Sequence, residues 1–173
     1  MNDRSYNVYL AVPGKHFCWG TTIGVISATA KHTVHPLNAG LGFSGVVDFN
    51  HCWTDAQNLF EAGEITHFAM LHGDIEPDPT QHWLDILIEE MEAHEAELVS
   101  AHLSMKDSRG LTTSGICDLS NPWHPFRRFT QREILHNLPE TFNNVTADYP
   151  AAPLLHNTGC WVADLRKSVF REV

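Results

Sequence analysis

The sequence predicts an α/β fold with a mainly parallel central sheet, and two observations carry that expectation. Apolar segments alternate between short runs and helix-period patterns from end to end, with no internal repeat, low-complexity stretch or long linker between them. Two of the short runs, residues 6–12 and 66–71, are apolar almost without interruption, as interior strands covered on both faces should be. Both strands are therefore expected to be central and to end on the same edge of the sheet.

The first strand, residues 6–12, sets Val8, Leu10 and Val12 on one face and Tyr9 and Ala11 on the other. It stops at Pro13-Gly14, which leaves a loop at the carboxyl edge of the sheet. Trp19, Ile23, Ile26 and Ala30 follow at spacings of four, three and four, so they share one face of a helix. A second strand is expected at residues 34–37. Asp48 can cap the next helix, on which Phe49, Trp53, Ala56 and Phe60 recur at helical spacing before Gly63 ends it. The strand of residues 66–71 runs straight into His72-Gly73-Asp74-Ile75-Glu76-Pro77. Asp78 as N-cap, Pro79 at the first helical position and Gln81 at the third form a capping-box arrangement for a helix that buries Leu84, Leu87, Ile88 and Met91. Residues 97–105 read as a strand, 106–115 as a loop leading to a short extended piece, and the Pro- and aromatic-rich residues 121–128 as an ordered loop. Thr130 with Glu133 makes a second capping box, for a helix carrying Ile134, Leu135 and Leu138. A final strand is expected within residues 155–165.

Composition narrows the function. At 173 residues, 43% hydrophobic and 18% charged, the chain is long enough for one globular domain, residues 1–173, with a sizeable core. Its 21 acidic residues against 11 basic ones give a formal charge of −10, which excludes a nonspecific grip on a nucleic-acid backbone. No apolar run reaches the roughly 18 residues that span a bilayer, and residues 1–7 are too polar for a signal peptide, so no transmembrane segment and a cytoplasmic location are expected. Cys18, Cys52, Cys117 and Cys160 are far apart and never form a Cys-x-x-Cys pair, so free thiols are expected rather than a zinc knuckle or redox motif. The twelve histidines occur singly, without a His-Glu-x-x-His or His-x-His cluster, so only one or two should have a chemical role.

The segment richest in chemistry is the one that follows the strand of residues 66–71. Alternation by two would bring His72, Asp74 and Glu76 to one side of the chain at a strand end. An imidazole and two carboxylates there could hold Mn2+ or Mg2+ with open coordination positions, since hard oxygen ligands suit both ions and imidazole suits manganese better. In open parallel sheets, ligands bind beyond the carboxyl ends of the strands, where this cluster would lie.

The segment Met70-Leu71-His72-Gly73-Asp74-Ile75-Glu76-Pro77, with Trp83-Leu84 behind it, resembles the metal-site strand of glycosyltransferases of the GT-A fold, family-two type, with His72 in place of the first Asp. On this alignment Asp74 corresponds to the metal-binding Asp; an alternative alignment takes Asp74-Ile75-Glu76 as the acidic pair. Residues 6–13 look like the family's opening strand, whose end contacts the nucleotide base. Residues 98–101 resemble the strand after the metal-site helix, leading to Ser104-Met105-Lys106-Asp107-Ser108-Arg109-Gly110. Asn157-Thr158-Gly159-Cys160-Trp161, continuing to Phe170, is similar to the segment beside the acceptor sugar. The resemblance covers nearly the whole chain. It implies a three-layer Rossmann-like GT-A fold and a domain that binds a nucleotide-sugar donor through a divalent metal and transfers the sugar to an acceptor not identified by the sequence.

The resemblance also assigns residues. Ala11, Val12, Pro13 and Asn50 would meet the nucleotide, and Lys106, Arg109, His156, Asn157, Thr158 and Gly159 the diphosphate, sugar or acceptor. Asp48-Phe49-Asn50 stands where many relatives carry Ala-Arg-Asn, so an Arg facing the nucleotide is missing. Relatives continue past the Phe170 segment to an acidic motif holding the catalytic base and to a late His; neither follows Phe170, so a C-terminally truncated or specialised domain is expected, and a poor catalyst. An inverting transferase needs a general base for the acceptor hydroxyl, and Asp107 and Asp118 are the nearest acidic candidates. Two alternatives remain: a metal-dependent phosphoesterase, which would need further ligand motifs such as Gly-Asn-His, and a non-catalytic nucleotide- or sugar-binding module.

Overall fold

The computed structural model describes residues 5–14, 16–39 and 45–171; residues 1–4 of the polar N-terminal stretch lie outside them. In chain order the elements are β1 (Asn7–Val12), α1 (Trp19–Lys31), β2 (Thr33–Ala39), α2 (Gly45–Glu61), β3 (His67–Leu71), α3 (Trp83–Ala93) and β4 (Leu98–Ser100). They are followed by β5 (Leu111–Asp118), β6 (Asn121–Thr130), α4 (Gln131–Asn137), β7 (Leu154–Leu155) and β8 (Cys160–Asp164). The chain divides into two compact units, Met1–Val99 with Thr158–Val173, and Ser100–Asn157.

The first unit is built on a five-stranded sheet in the order β2-β1-β3-β8-β4. β1 runs parallel to both β2 and β3. β1 and β3 are interior, every residue of β3 is buried, and the two end on the same edge, as their apolar runs predict. The expectation of a mainly parallel central sheet is overturned: β8 lies antiparallel against β3, with His67 opposite Asp164 and Leu71 opposite Cys160, so the sheet is mixed. A parallel neighbour requires a crossover connection, usually a helix. β8 enters from the second unit instead, so nothing imposes the parallel direction, and a Rossmann-like GT-A fold is not what the chain adopts.

Alternation along β3 divides the core into two sides. Phe68 and Met70 face α2, joining Tyr9, Ala11, Cys52, Ala56, Trp161 and Ala163 in one buried cluster. Phe68 stands at its centre, stacked on Tyr9 at 5.6 Å, edge-on to Trp53 at 5.2 Å and tilted against Trp161 at 5.0 Å. Leu71 faces the other way and reaches Gly24 of α1. α3 closes that side with buried Leu84, Leu87, Ile88 and Met91, the stripe the sequence predicts, and its Trp83 Nε1 donates to the Gly24 carbonyl at 2.9 Å.

Three helix assignments need correction. α1 buries Thr21, Gly24 and Ala28, so the face carrying Trp19, Ile23, Ile26 and Ala30 is the outward one. α2 begins at Gly45, which puts Asp48 in its first turn, buried, rather than at the cap. α3 starts at Trp83 with His82 at the cap: the Asp78 carboxylate instead accepts from Thr80 N at 2.8 Å and Thr80 Oγ1 at 2.6 Å, forming a turn that delays the helix.

A polar cluster lies at the amino ends of β1 and β3. His67 is fully buried, its Nδ1 is 2.8 Å from Thr66 Oγ1, and its Nε2 has no hydrogen-bond partner. Burial pushes His67 down to about 4, opposed by Asp164 across the strand pair and reinforced by Arg166. Arg166 grips Asp164 with Nε at 2.7 Å and Nη2 at 2.9 Å. Nearby, His32 Nε2 and Lys31 Nζ share Asp85 Oδ1 at 2.6 and 3.0 Å.

The second unit is a three-stranded sheet in the order β6-β5-β7, antiparallel throughout, with α4. Residues 121–128 are not the loop the prolines suggest but most of strand β6. β6 is an edge strand, where a residue that cannot donate to a ladder is tolerated. The small core is Ile116, Phe129 and Ala147 with half-buried Phe142, Tyr149 and Leu154 around them. The predicted capping box forms: Glu133 N donates to Thr130 Oγ1 at 3.2 Å and Thr130 N to Glu133 Oε2 at 2.8 Å.

Candidate functional site

The order β2-β1-β3 places the strand reached through α1 on one side of β1 and the strand reached through α2 on the other. β1 and β3 lie side by side and parallel, with their carboxyl ends on one edge, and in open α/β sheets ligands bind in the crevice outside such strand ends. Two loops define it, residues 13–14 and 16–18 after β1 and residues 72–77 after β3, with Gly159 ahead of β8.

These loops are fastened to each other by the backbone. Gly73 N donates to Pro13 O at 2.9 Å, Cys18 N donates to Gly73 O at 2.8 Å, and His72 N donates to Gly159 O at 2.8 Å. Thr21 Oγ1 lies 2.9 Å from Gly73 O and 2.7 Å from Ile75 O, sharing its hydrogen between two carbonyls while Cys18 Sγ approaches it at 2.8 Å. Glycine is required by space here. A Cβ on Gly73 would lie 2.9 Å from His16 O and 2.7 Å from the Phe17 ring, and one on Gly14 would lie 3.2 Å from Gly73 Cα.

The three residues expected to share one side behave differently. β3 ends at Leu71, and Ile75 N donates to His72 O at 3.0 Å, closing a tight turn that ends the strand alternation. His72 is half-buried, and burial lowers its pKa against the opposing pull of Asp74, which favours the neutral ring. Asp74 is exposed beside it. Glu76 is carried away to α1, its side chain laid over Gly20, where a Cβ would come within 2.5 Å of Glu76 Cβ. Among the described residues no three His, Cys, Asp or Glu side chains come together to hold a metal ion. The expected trio His72, Asp74 and Glu76 is therefore not a ready-made metal cage.

Other expected contacts also shift. Ala11 and Val12 are core residues, so β1 reaches the crevice only through Pro13, whose carbonyl already accepts from Gly73. Asn50 is exposed on α2, and its carbonyl accepts from Thr54 at 2.8 Å. Thr158 is exposed at the edge of the first unit, its carbonyl accepting from Trp161 Nε1 at 3.1 Å. Gly159, through its bond to His72, belongs to the crevice itself.

The remaining candidates belong to the second unit. Asp107 accepts from Arg109 Nη2 at 2.7 Å and Nε at 3.1 Å, and these bonds hold its pKa below the ordinary carboxylate value while raising that of Arg109. Asp118 accepts from Ser120 Oγ at 2.7 Å and Ser120 N at 2.8 Å in the turn between β5 and β6, with the same direction of shift. A carboxylate with a lowered pKa is a weaker proton acceptor, so neither is poised as a general base. Lys106 is exposed in the same loop as Asp107. His156 Nδ1 is 3.2 Å from Ser100 Oγ, and Asn157 is buried, donating to Ala101 O at 3.1 Å.

Cys18, Thr21 and Phe17 are the site residues that sequence reasoning passes over. Only the Pro13-Gly14 stop and the helix period starting at Trp19 hint that they connect a strand end to a helix start. No protein-family model matches the chain, and no curated protein matches it.

Proposed function

We propose that this chain binds a nucleotide-diphosphate sugar in the crevice beyond β1 and β3 and acts as a glycosyltransferase domain that passes the sugar to an acceptor hydroxyl. The observation that supports the reading best is the pair of adjacent, parallel strand ends of β1 and β3, with Asp74 exposed in the loop after β3. Among the described residues no resident metal site is made at the crevice, but magnesium and manganese are commonly held by one or two carboxylates plus substrate phosphates. The cation is accordingly part of the incoming donor complex, with Asp74 the carboxylate that meets it. The proposed setting is the cytoplasm.

A second reading, a binding module without transfer activity, is favoured by one specific observation: Asp107 and Asp118, the acidic candidates for the base, are both engaged in turns that weaken them as bases. A phosphoesterase needs several preformed metal ligands, and among the described residues no such group supports it.

Calorimetry with UDP, GDP and ADP, each with and without manganese, tests the proposal. Binding of at least one nucleotide that requires manganese and weakens at least ~10-fold in Asp74→Asn is the expected result, because the charge-bearing group that meets the cation is lost. Manganese-dependent binding undiminished in Asp74→Asn, or no binding by the parent, overturns it. Sugar transfer from a donor that binds then separates enzyme from module.

A further inference from the structure

We propose that His102 and His156 form a transition-metal site on the second unit, holding zinc or another imidazole-preferring divalent ion through their Nε2 atoms and leaving its other coordination positions open. Both residues lie within Ser100–Asn157, the span of that unit.

Strand pairing brings the two to one place. β6 occupies one edge of β5, and two shorter stretches of chain lie end to end along the other. Ser104 bridges Thr112, and Thr113 N donates to Leu103 O at 2.8 Å, so this register sets His102 opposite Ser114. Leu154 pairs with Ile116 and Leu155 with Gly115, and the same register carried one residue further sets His156 opposite Ser114 as well. Directly opposed residues share a face of the sheet. Two stretches cannot both occupy that position, so they part there, tied to each other by two side chains. Ser100 Oγ lies 3.2 Å from His156 Nδ1, and Asn157 Nδ2 donates to Ala101 O at 3.1 Å.

The rings are oriented as metal ligands are. His102 Nδ1 lies 2.8 Å from Ser114 Oγ, as His156 Nδ1 lies beside Ser100, and among the described residues neither Nε2 is hydrogen-bonded. A metal-bound histidine has its other nitrogen engaged in this way, which fixes both ring and tautomer. Ser114 is buried, and the Phe142 ring stacks on His102 at 4.7 Å and nearly parallel, so that imidazole is held from two directions. Desolvation lowers the pKa of both histidines, with the charge of His156 a second cause for His102, and this favours the neutral rings that a metal requires.

Ligand type selects the ion. Imidazole suits zinc, nickel and copper, whereas magnesium and calcium prefer oxygen. Among the described residues no third His, Cys, Asp or Glu joins the pair, so water completes the coordination and the ion exchanges readily. Bound there, it would clip together the two ends of the second unit and stabilise it by mass action.

Calorimetric titration of the full chain with zinc alone, without nucleotide, tests the proposal. The tightest binding step should weaken at least ~10-fold in His102→Gln and in His156→Gln. It should be unchanged in His51→Gln and His94→Gln, which alter exposed histidines that stand near carboxylates on other helices. Electron paramagnetic resonance of the copper(II) form should count two coordinated nitrogens in the parent and fewer in either site variant. Circular dichroism melts matching the parent's confirm that each variant is folded; His156 is exposed, so His156→Gln carries the test if His102→Gln is not. A parent that takes up no zinc, a binding step undiminished in His156→Gln, or one lost in His51→Gln or His94→Gln overturns the inference.

Discussion

The two units solve the same problem with different materials. In the first, a strand whose five residues are all buried runs through an aromatic cluster, and helices cover both faces of the sheet. In the second, the buried cluster among the described residues is Ile116, Phe129 and Ala147, and polar contacts do much of the fastening. Arg127 donates to Tyr149 Oη at 2.7 Å and pairs with Glu133, its guanidinium 5.6 Å from the Phe129 ring centre. Arg128 donates to Thr113 O at 2.8 Å. Where apolar area is scarce, directional bonds take a larger share of the stability. The first unit should therefore respond most to lost volume, the second to lost hydrogen bonds.

Phe68→Ala should produce the largest effect. It empties the centre of the aromatic cluster, and deletions of this kind cost about 3–5 kcal/mol. Urea unfolding followed by tryptophan fluorescence, which reads Trp53 and Trp161 beside the vacated space, measures it. A loss below about 1 kcal/mol would mean that the cluster collapses around the gap and is not the close-packed centre described above.

Acid should come next, again through the first unit. His67 has a folded pKa of about 4 against an ordinary 6.5, so the unfolded chain binds the proton first. Its contribution is complete above pH 6.5 and declines as the pH falls toward 4, by at most about 3 kcal/mol. Asp164, whose pKa is also lowered, extends the decline to lower pH as its carboxylate is protonated. Unfolding free energies at a series of pH values should show this slope, and His67→Gln should flatten it between pH 6.5 and 4. A slope unchanged in His67→Gln would assign the acid sensitivity to other groups.

The smallest effect belongs to the second unit. Thr130→Ala removes one half of the capping box and should cost about 1 kcal/mol. Hydrogen exchange should locate the loss in Gln131–Asn137 while β3 keeps its protection. Loss of protection in β3 as well would contradict the picture of a local, polar fastening.

Much of the fold can be read from local pattern, because burial leaves a periodic trace. The interior strands β1 and β3, the buried stripe of α3 and the Thr130 cap of α4 are all cases in which one segment holds the whole signal. Direction and partnership leave no such trace. Nothing in Cys160–Asp164 says whether it will run with or against β3, since an antiparallel neighbour buried on both sides has the same apolar character. Nor does the α1 period say which way its apolar face points; that is decided by Gly24 and Thr21, small enough to let Pro77 and the loop carbonyls approach. The prolines of β6 read as loop because their tolerance depends on its being an edge strand. For the candidate site, the strand end bearing His72 and Asp74 was legible, whereas the grip of Cys18 and Thr21 on it is a contact between residues more than fifty positions apart.

The stitching of the loops also fixes what the crevice has left to offer a ligand. The amide hydrogens of Cys18, His72, Gly73 and Ile75 all point to carbonyls of the protein. Backbone that elsewhere forms a cradle for phosphate is, at these four positions, already satisfied from within. A diphosphate arriving here in a molecule of charge −10 gets no neutralising dipoles from them, and Asp74 and Glu76 in the same loop add to the repulsion. At these four positions the charge of an anion is met only by a cation that accompanies it. On the proposed reading, recognition would depend on the counter-cation more than on the phosphate, and the crevice should discriminate between metal-loaded and metal-free forms of the same nucleotide.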